Sequence, residues 1–238
     1  MFYAQKQAND SDLPSKVQMF DANKVMDPAD AFARIEEISK QRKFPESIEA
    51  IVKLNVDPTK GDQMIRGTCV LPEGTGKEVK VCVFADSEFH EQLKEVGADF
   101  IGSDQIITDI ANGVVPFDKI ICTQEHIQSL KKFARVLGPK GLMPNAKSGT
   151  LVRQDEIVEQ VRQAKQGLIE FRVSPEAFIM TKIGLRTFQT GQLASNFDAL
   201  MLALVAKKPE AVKGRYFLKG LVKTSMGPPL KVDLSKYV

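Results

Sequence analysis

Near the C-terminus, Thr224, Ser225, Met226 and Gly227 stand in succession, followed by Pro228 and Pro229. Two hydroxyls can donate to phosphate or to a ribose 2′-OH, and the methionine thioether offers a polarizable apolar surface to a base or sugar. Glycine lacks a Cβ, so another backbone can approach it closely. The prolines stiffen the exit and lower the ordering cost of binding. A tight turn ending a strand would explain the glycine and prolines, but not the clustered hydroxyls and the methionine. Lys219, Lys223 and Lys231 surround the turn and can steer or position a polyanion. Such groups would suit contact with nucleic acid, while simple solvation accounts for the lysines equally.

Other candidate chemistry is sparse. Cys69, Cys82 and Cys122 form no CxxC pair, and they read as small buried hydrophobes in a reducing compartment. His90 and His126 fall on polar helix faces without ligand partners nearby, so no metal and no catalytic triad is expected. Gly74-Thr75-Gly76-Lys77 looks like a phosphate loop. It lacks the first glycine, where Leu71 stands, and the hydroxyl, where Glu78 stands, and it precedes a strand. A hairpin-like turn is the expectation. Gly141 to Ser148 misses the same motif by Ala146, and Pro144 removes an amide. No cofactor is expected.

The charge is uneven. Residues 1–72 carry 10 basic and 11 acidic groups and residues 73–165 carry 12 and 14, whereas residues 166–238 carry 11 and 5. A positive last third suits phosphate binding, and equally a solvated basic face. The longest apolar run, Ala199 to Ala206, is far too short for a membrane span.

The elements that position these residues follow from periodicity. Asp27 caps and Pro28 opens a helix carrying Phe32, Ile35 and Ile38. Ile48, Ala50, Val52, Leu54 and Val56 alternate as a half-buried strand that ends at Pro58. From Val79 onward, strands (79–84, 99–101, 119–122) alternate with helices (88–96, 105–111, 124–137), which calls for a parallel sheet with helices on its faces. The segment 137–149, with Pro139 and Pro144 among three glycines, is expected to be a specified loop rather than helix. A helix over 155–166, strands over 168–173 and 178–183, an apolar helix over 193–206 and a strand over 216–224 complete the chain. Neither end can build a core alone. The expected architecture is therefore mixed α/β and α+β, with residues 1–72 and 166–238 forming one discontinuous α+β domain. Residues 73–165 form an inserted Rossmann-like domain.

The string LGPKGLMPNAKSG at 137–149, the string VDPTKGDQMIRGTCVLPEGTGKEVKVCVF at 56–84 and KTSMGPPLKVD at 223–233 together resemble the ribosomal protein L-one family. The resemblance covers roughly residues 28 to 233 and implies the same split layout. It also implies a non-enzymatic rRNA-binding protein of the large ribosomal subunit, whose mobile stalk moves as deacylated tRNA leaves the exit site. The implied partners are large-subunit rRNA, exit-site tRNA, other ribosomal components and the protein's own messenger, with no membrane.

On residues alone, Phe44 reads as a staple packing a helix end and Glu49 as an exposed strand residue. The resemblance assigns Lys43, Phe44, Ser47 and Glu49 to RNA contact, with Lys53, Arg172, Lys219 and Lys223 beside Thr224, Ser225, Met226 and Gly227. It places hinges near 66–72 and 164–167, with Arg66, Gly67, Pro72 and Gly167 as the pivots. The chain departs from the family at Val173-Ser174-Pro175-Glu176-Ala177 and at Leu185. It also lacks a strongly basic N-terminus, so Met1 to Pro14 reads as an organellar or divergent extension. A mitochondrial ribosome is thus slightly preferred to a bacterial one. The alternatives are a nucleotide-binding enzyme using the middle domain, which would need a glycine-rich turn where Phe84 to Glu88 has none, and a free messenger-binding repressor.

Overall fold

The computed structural model describes residues 24–39, 44–102 and 104–237. In chain order the strands are β1 (Val25–Met26), β2 (Ser47–Leu54), β3 (Arg66–Val70), β4 (Val81–Phe84), β5 (Phe100–Ile101), β6 (Lys119–Thr123), β7 (Leu151–Val152), β8 (Leu168–Arg172), β9 (Phe178–Leu185), β10 (Phe217–Thr224) and β11 (Leu230–Val232). The helices are α1 (Pro28–Ser39), α2 (His90–Glu95), α3 (Asp104–Ala111), α4 (Ile127–Lys131), α5 (Ala134–Leu137), α6 (Ile157–Gln166) and α7 (Thr190–Ala206).

The first sheet has the order β1-β11-β10-β2-β9, so the strand β2 comes from the front of the chain and both its neighbours from the back. β2 alternates as its sequence requires. Ile48, Ala50, Val52 and Leu54 are buried against α1 and α7, while Ser47, Glu49, Ile51 and Lys53 look out on the other face. Phe32 of α1 meets Phe197 of α7 edge-on at 6.0 Å within that core. The core draws on residues 31–71 and 169–234 and on nothing between them.

The second sheet, β5-β4-β6-β7, is parallel throughout. All of Val81–Phe84 is buried because helices cover both faces. Val81 and Val83 pack on Leu93, Ile157 and Val161, and Cys82 and Phe84 on Ile110, Leu130 and Leu137. An antiparallel ribbon of β3 and β8 connects this inserted domain to the first. The mixed, split and inserted architecture read from the sequence is the one observed.

Several local expectations give way. The helix expected over 124–137 is broken into α4 and α5, with Phe133 turned out of helical geometry between them. Segment 137–149 contains one 3₁₀ turn, Ala146–Ser148, at positions that hold neither proline. Residues 74–77 do not form a hairpin. They belong to the crossing from β3 to β4, which lie in different sheets, with Gly74 and Gly76 both at φ 71°.

Candidate nucleic-acid interface

The last pairs between β10 and β2 are Lys223 with Glu49 and Thr224 with Ile48. Beyond them, the Ser225 amide donates to the Ser47 carbonyl at 3.0 Å and its hydroxyl to the same oxygen at 3.3 Å. The turn at 224–227 and the segment at 44–49 therefore adjoin, although 178 residues separate Ser47 from Ser225 in sequence. Phe44 is 51% exposed and Met226 68%, so two large apolar side chains stand open to solvent at this end of the sheet. Isolated exposed hydrophobes are ordinary, and the pair beside a polar turn is a candidate contact surface.

The turn closes on itself. The Gly227 amide donates to the Thr224 carbonyl at 3.2 Å. Thr224 is 3% exposed, and a Cβ built on Gly227 would come closer than 3.0 Å to the Thr224 hydroxyl. The hydroxyl expected to face a partner is thus turned inward, and the outward one is that of Ser225. Glycine at 227 is required by the turn's interior before any ligand arrives.

From this end the open face of the sheet runs away as rows of cross-strand neighbours. Lys223 pairs with Glu49 at 3.2 Å, and Lys182 lies opposite Glu49 on the other side. Lys219 stands opposite Lys53, whose ammonium sits 5.4 Å from the Phe178 ring centre. Partial burial lowers the pKa of Lys182, and repulsion from Lys77 adds to the effect. Sequence reasoning missed Lys182 and the 58%-exposed Met180, although the alternation Phe178, Met180, Lys182 along β9 was the signal for both.

Other expected residues fall elsewhere. Lys43, like Met1 to Pro14, lies outside the described residues. Arg172 is exposed at the end of the connecting ribbon, where it lines a shallow apolar cavity of about 480 Å³ with Pro58, Met64 and Pro175. That cavity is near Phe178, at the opposite end of β9 from Gly184, which pairs with Ile48 beside the turn.

Arg66 and Gly67 are fixed in the ribbon ladder, with Arg66 held by Glu170 at 2.7 Å. The chain crosses between domains at Leu71–Gly74 and again at Gly167, where φ is 121°. A Cβ at Gly167 would lie 2.6 Å from the Gly74 Cα. Pro72 stands within the first crossing. Asn196, fully buried on α7, pins this crossing by accepting from the Glu73 amide at 3.0 Å and donating to the Gly74 and Ile183 carbonyls at 3.0 and 2.8 Å. A lone asparagine inside an apolar helix was the overlooked signal.

Around Asn145 the loop at 137–149 is closed by local hydrogen bonds. The Asn145 side chain accepts from the Lys147 amide, and its carbonyl accepts from the Ser148 and Thr150 hydroxyls. At the C-terminal ends of β4 and β6, Asp86 accepts from Gln154 at 2.6 Å and meets His126 at 3.1 Å. His126 thus has a carboxylate partner, contrary to expectation, contributed from 40 residues away. Among the described residues no group of three or more His, Cys, Asp or Glu is arranged to hold a metal. Burial pushes the Cys82 and Cys122 thiols up to about 12, and raises Cys69 as well.

With that geometry in view, comparison with known proteins is specific. Residues 35–228 match the model of the ribosomal protein L1p/L10e family. The chain belongs to that family. It is 39% identical over 216 residues to the large ribosomal subunit protein uL1 of Acidothermus cellulolyticus, covering 91% of this chain and 89% of that protein. The uL1 of Desulfosudis oleivorans is 43% identical over 190 residues, 80% of each chain, and that of Lactobacillus delbrueckii is 41% identical over 213 residues, 90% and 91%. These relatives are bacterial, and they give no support to the mitochondrial preference drawn from the N-terminal extension.

Proposed function

We propose that the protein is a structural constituent of the large ribosomal subunit that binds its rRNA directly. The observation that carries this is the meeting of Ser47 with Ser225, which sets Phe44 and Met226 exposed at one end of a lysine-bearing open sheet face. Met226 and Phe44 offer surface to bases or ribose, and Ser47 and Ser225 offer polar contacts to 2′-OH or phosphate. Lys53, Lys182, Lys219 and Lys223 position the phosphate backbone. Glu49, already paired with Lys223, orients that lysine and is available to a ribose hydroxyl on the same face. Relatives named as large ribosomal subunit protein uL1 support the assignment. Arg172, remote from the turn, contributes at most a second backbone contact.

In this proposal the inserted domain rides on the crossings at Pro72 and Gly167 as part of the mobile stalk that accompanies deacylated tRNA from the exit site. A messenger segment shaped like the rRNA site would occupy the same surface. The test is Met226→Asp in a binding titration against large-subunit rRNA fragments at fixed salt. The expected loss is about 1–3 kcal/mol, typical of one specific nucleic-acid contact. Unchanged affinity refutes the site.

A further inference from the structure

The seam between the inserted domain and the connecting ribbon is unlike either core. Among the described residues no apolar cluster spans it: one cluster stays with the split domain and two stay with the inserted one. The seam instead encloses a cavity of about 190 Å³, lined mainly by polar and charged groups including Arg66, Thr68, Ser148 and Glu170. A polar space of that size takes up water readily, so parting its walls exposes little apolar surface.

Among the described residues one side-chain hydrogen bond crosses this seam in full. Lys119, the first residue of β6, extends its ammonium into the ribbon and donates to the Leu168 carbonyl at the start of β8. Burial lowers the pKa of Lys119, and Glu170, two residues further along β8 and ion-paired with Arg66, offsets part of that by favouring the charged form. The remaining charged groups at the seam are Asp118, engaged by Lys77 at 2.7 Å, and Lys140, which donates to the Gly113 carbonyl at 3.2 Å. Both are satisfied within the inserted domain. The 3₁₀ turn Ala146–Ser148 rests on β3 and supplies the facing wall.

We propose that Lys119 is a latch, a positioning residue that holds the inserted domain against the ribbon and whose release lets the two domains separate. A cation removed from water forms a strong bond when a carbonyl meets it and has no compensation when that carbonyl withdraws. The closed arrangement therefore combines one charge-assisted hydrogen bond with the seating of the Ala146–Ser148 turn on β3, across a largely polar seam. The crossing pinned by Asn196 provides the fixed side about which the domain turns.

The test uses the whole chain, with dyes on Glu95→Cys in the inserted domain and Lys213→Cys in the split domain, both exposed positions. The three native cysteines are buried and stay unlabelled. Single-molecule energy transfer reads the distance. Lys119→Met, of similar length but without a donor, is expected to raise the separated population about tenfold or more, the weight of one charged hydrogen bond. Lys119→Arg is expected to restore the short distance. If Lys119→Met melts the inserted domain, Lys119→Gln, whose donor is too short to span the seam, carries the same expectation. Distances unchanged from the parent protein in whichever variant stays folded overturn the proposal. No RNA is present, so the outcome is independent of the rRNA assignment.

Discussion

Replacing Gly227 by alanine adds one methyl group at a place where its neighbours are defined. Gly227 is not among the glycines at positive φ, so alanine fits the backbone and the whole cost comes from contact. The added carbon would come closer than 3.0 Å to the Thr224 hydroxyl, which is buried and has little room to retreat, but only 3.5 Å from the Thr224 Cβ, an ordinary separation. Overpacking of this kind costs about 1–3 kcal/mol. In a protein of this size that corresponds to a melting decrease of roughly 2–12 °C. Because the strain is relieved by displacing Ser225 and Met226, affinity for large-subunit rRNA fragments is expected to fall by about 1–3 kcal/mol as well. Thr224→Ala removes the hydroxyl and should therefore rescue Gly227→Ala. Urea unfolding of the two single variants and the double variant measures the coupling, which should exceed about 0.5 kcal/mol in the relieving direction. If the two penalties simply add, contact with the Thr224 hydroxyl is not what excludes a side chain at 227.

Two further outcomes are expected. Asn196→Ala leaves the Glu73 amide and the Gly74 and Ile183 carbonyls without their partner and should cost about 2–4 kcal/mol in urea unfolding, while Asn196→Asp, which keeps the acceptor and loses the donor, should recover only part of it. Acid should loosen the inserted domain. Burial alone would raise Asp99, but hydrogen bonds from Lys165 and the Val81 amide hold it below its ordinary 3.8, and Asp118 is lowered by its bond from Lys77. Both groups have depressed folded values, so their stabilisation is complete above 3.8 and fades as pH falls through the lower folded values. Thermal melts from about pH 5 to about pH 2.5 should show this slope, and Asp99→Asn should flatten it.

What the sequence revealed depended on how regularly each segment is buried. β2 alternates because one face is covered, and β4 is continuously apolar because both are, so each was legible from its own residues. Strands of two residues such as β1 and β7 have no period to detect, and they form only because β11 and β6 offer edges. The break at Phe133 follows from packing in the inserted domain and carries no proline or glycine to announce it. The Thr224–Gly227 turn was recognised from its residue types, yet which hydroxyl points outward was decided by the strand register. The Asp86–His126 pair and the Asn196 clasp join residues 40 and more than 120 positions apart, and no local pattern foretells either.

The position of β2, flanked on both sides by strands made much later, also governs how the molecule is born. As the chain is synthesised, the front strand waits with both edges bare until the back of the chain emerges, while the parallel middle can already close around its own cores. The surface that joins Ser47 to Ser225 is therefore absent from any nascent form that stops short of β10 and appears only once that strand is made. A half-made copy lacks the proposed contact surface altogether.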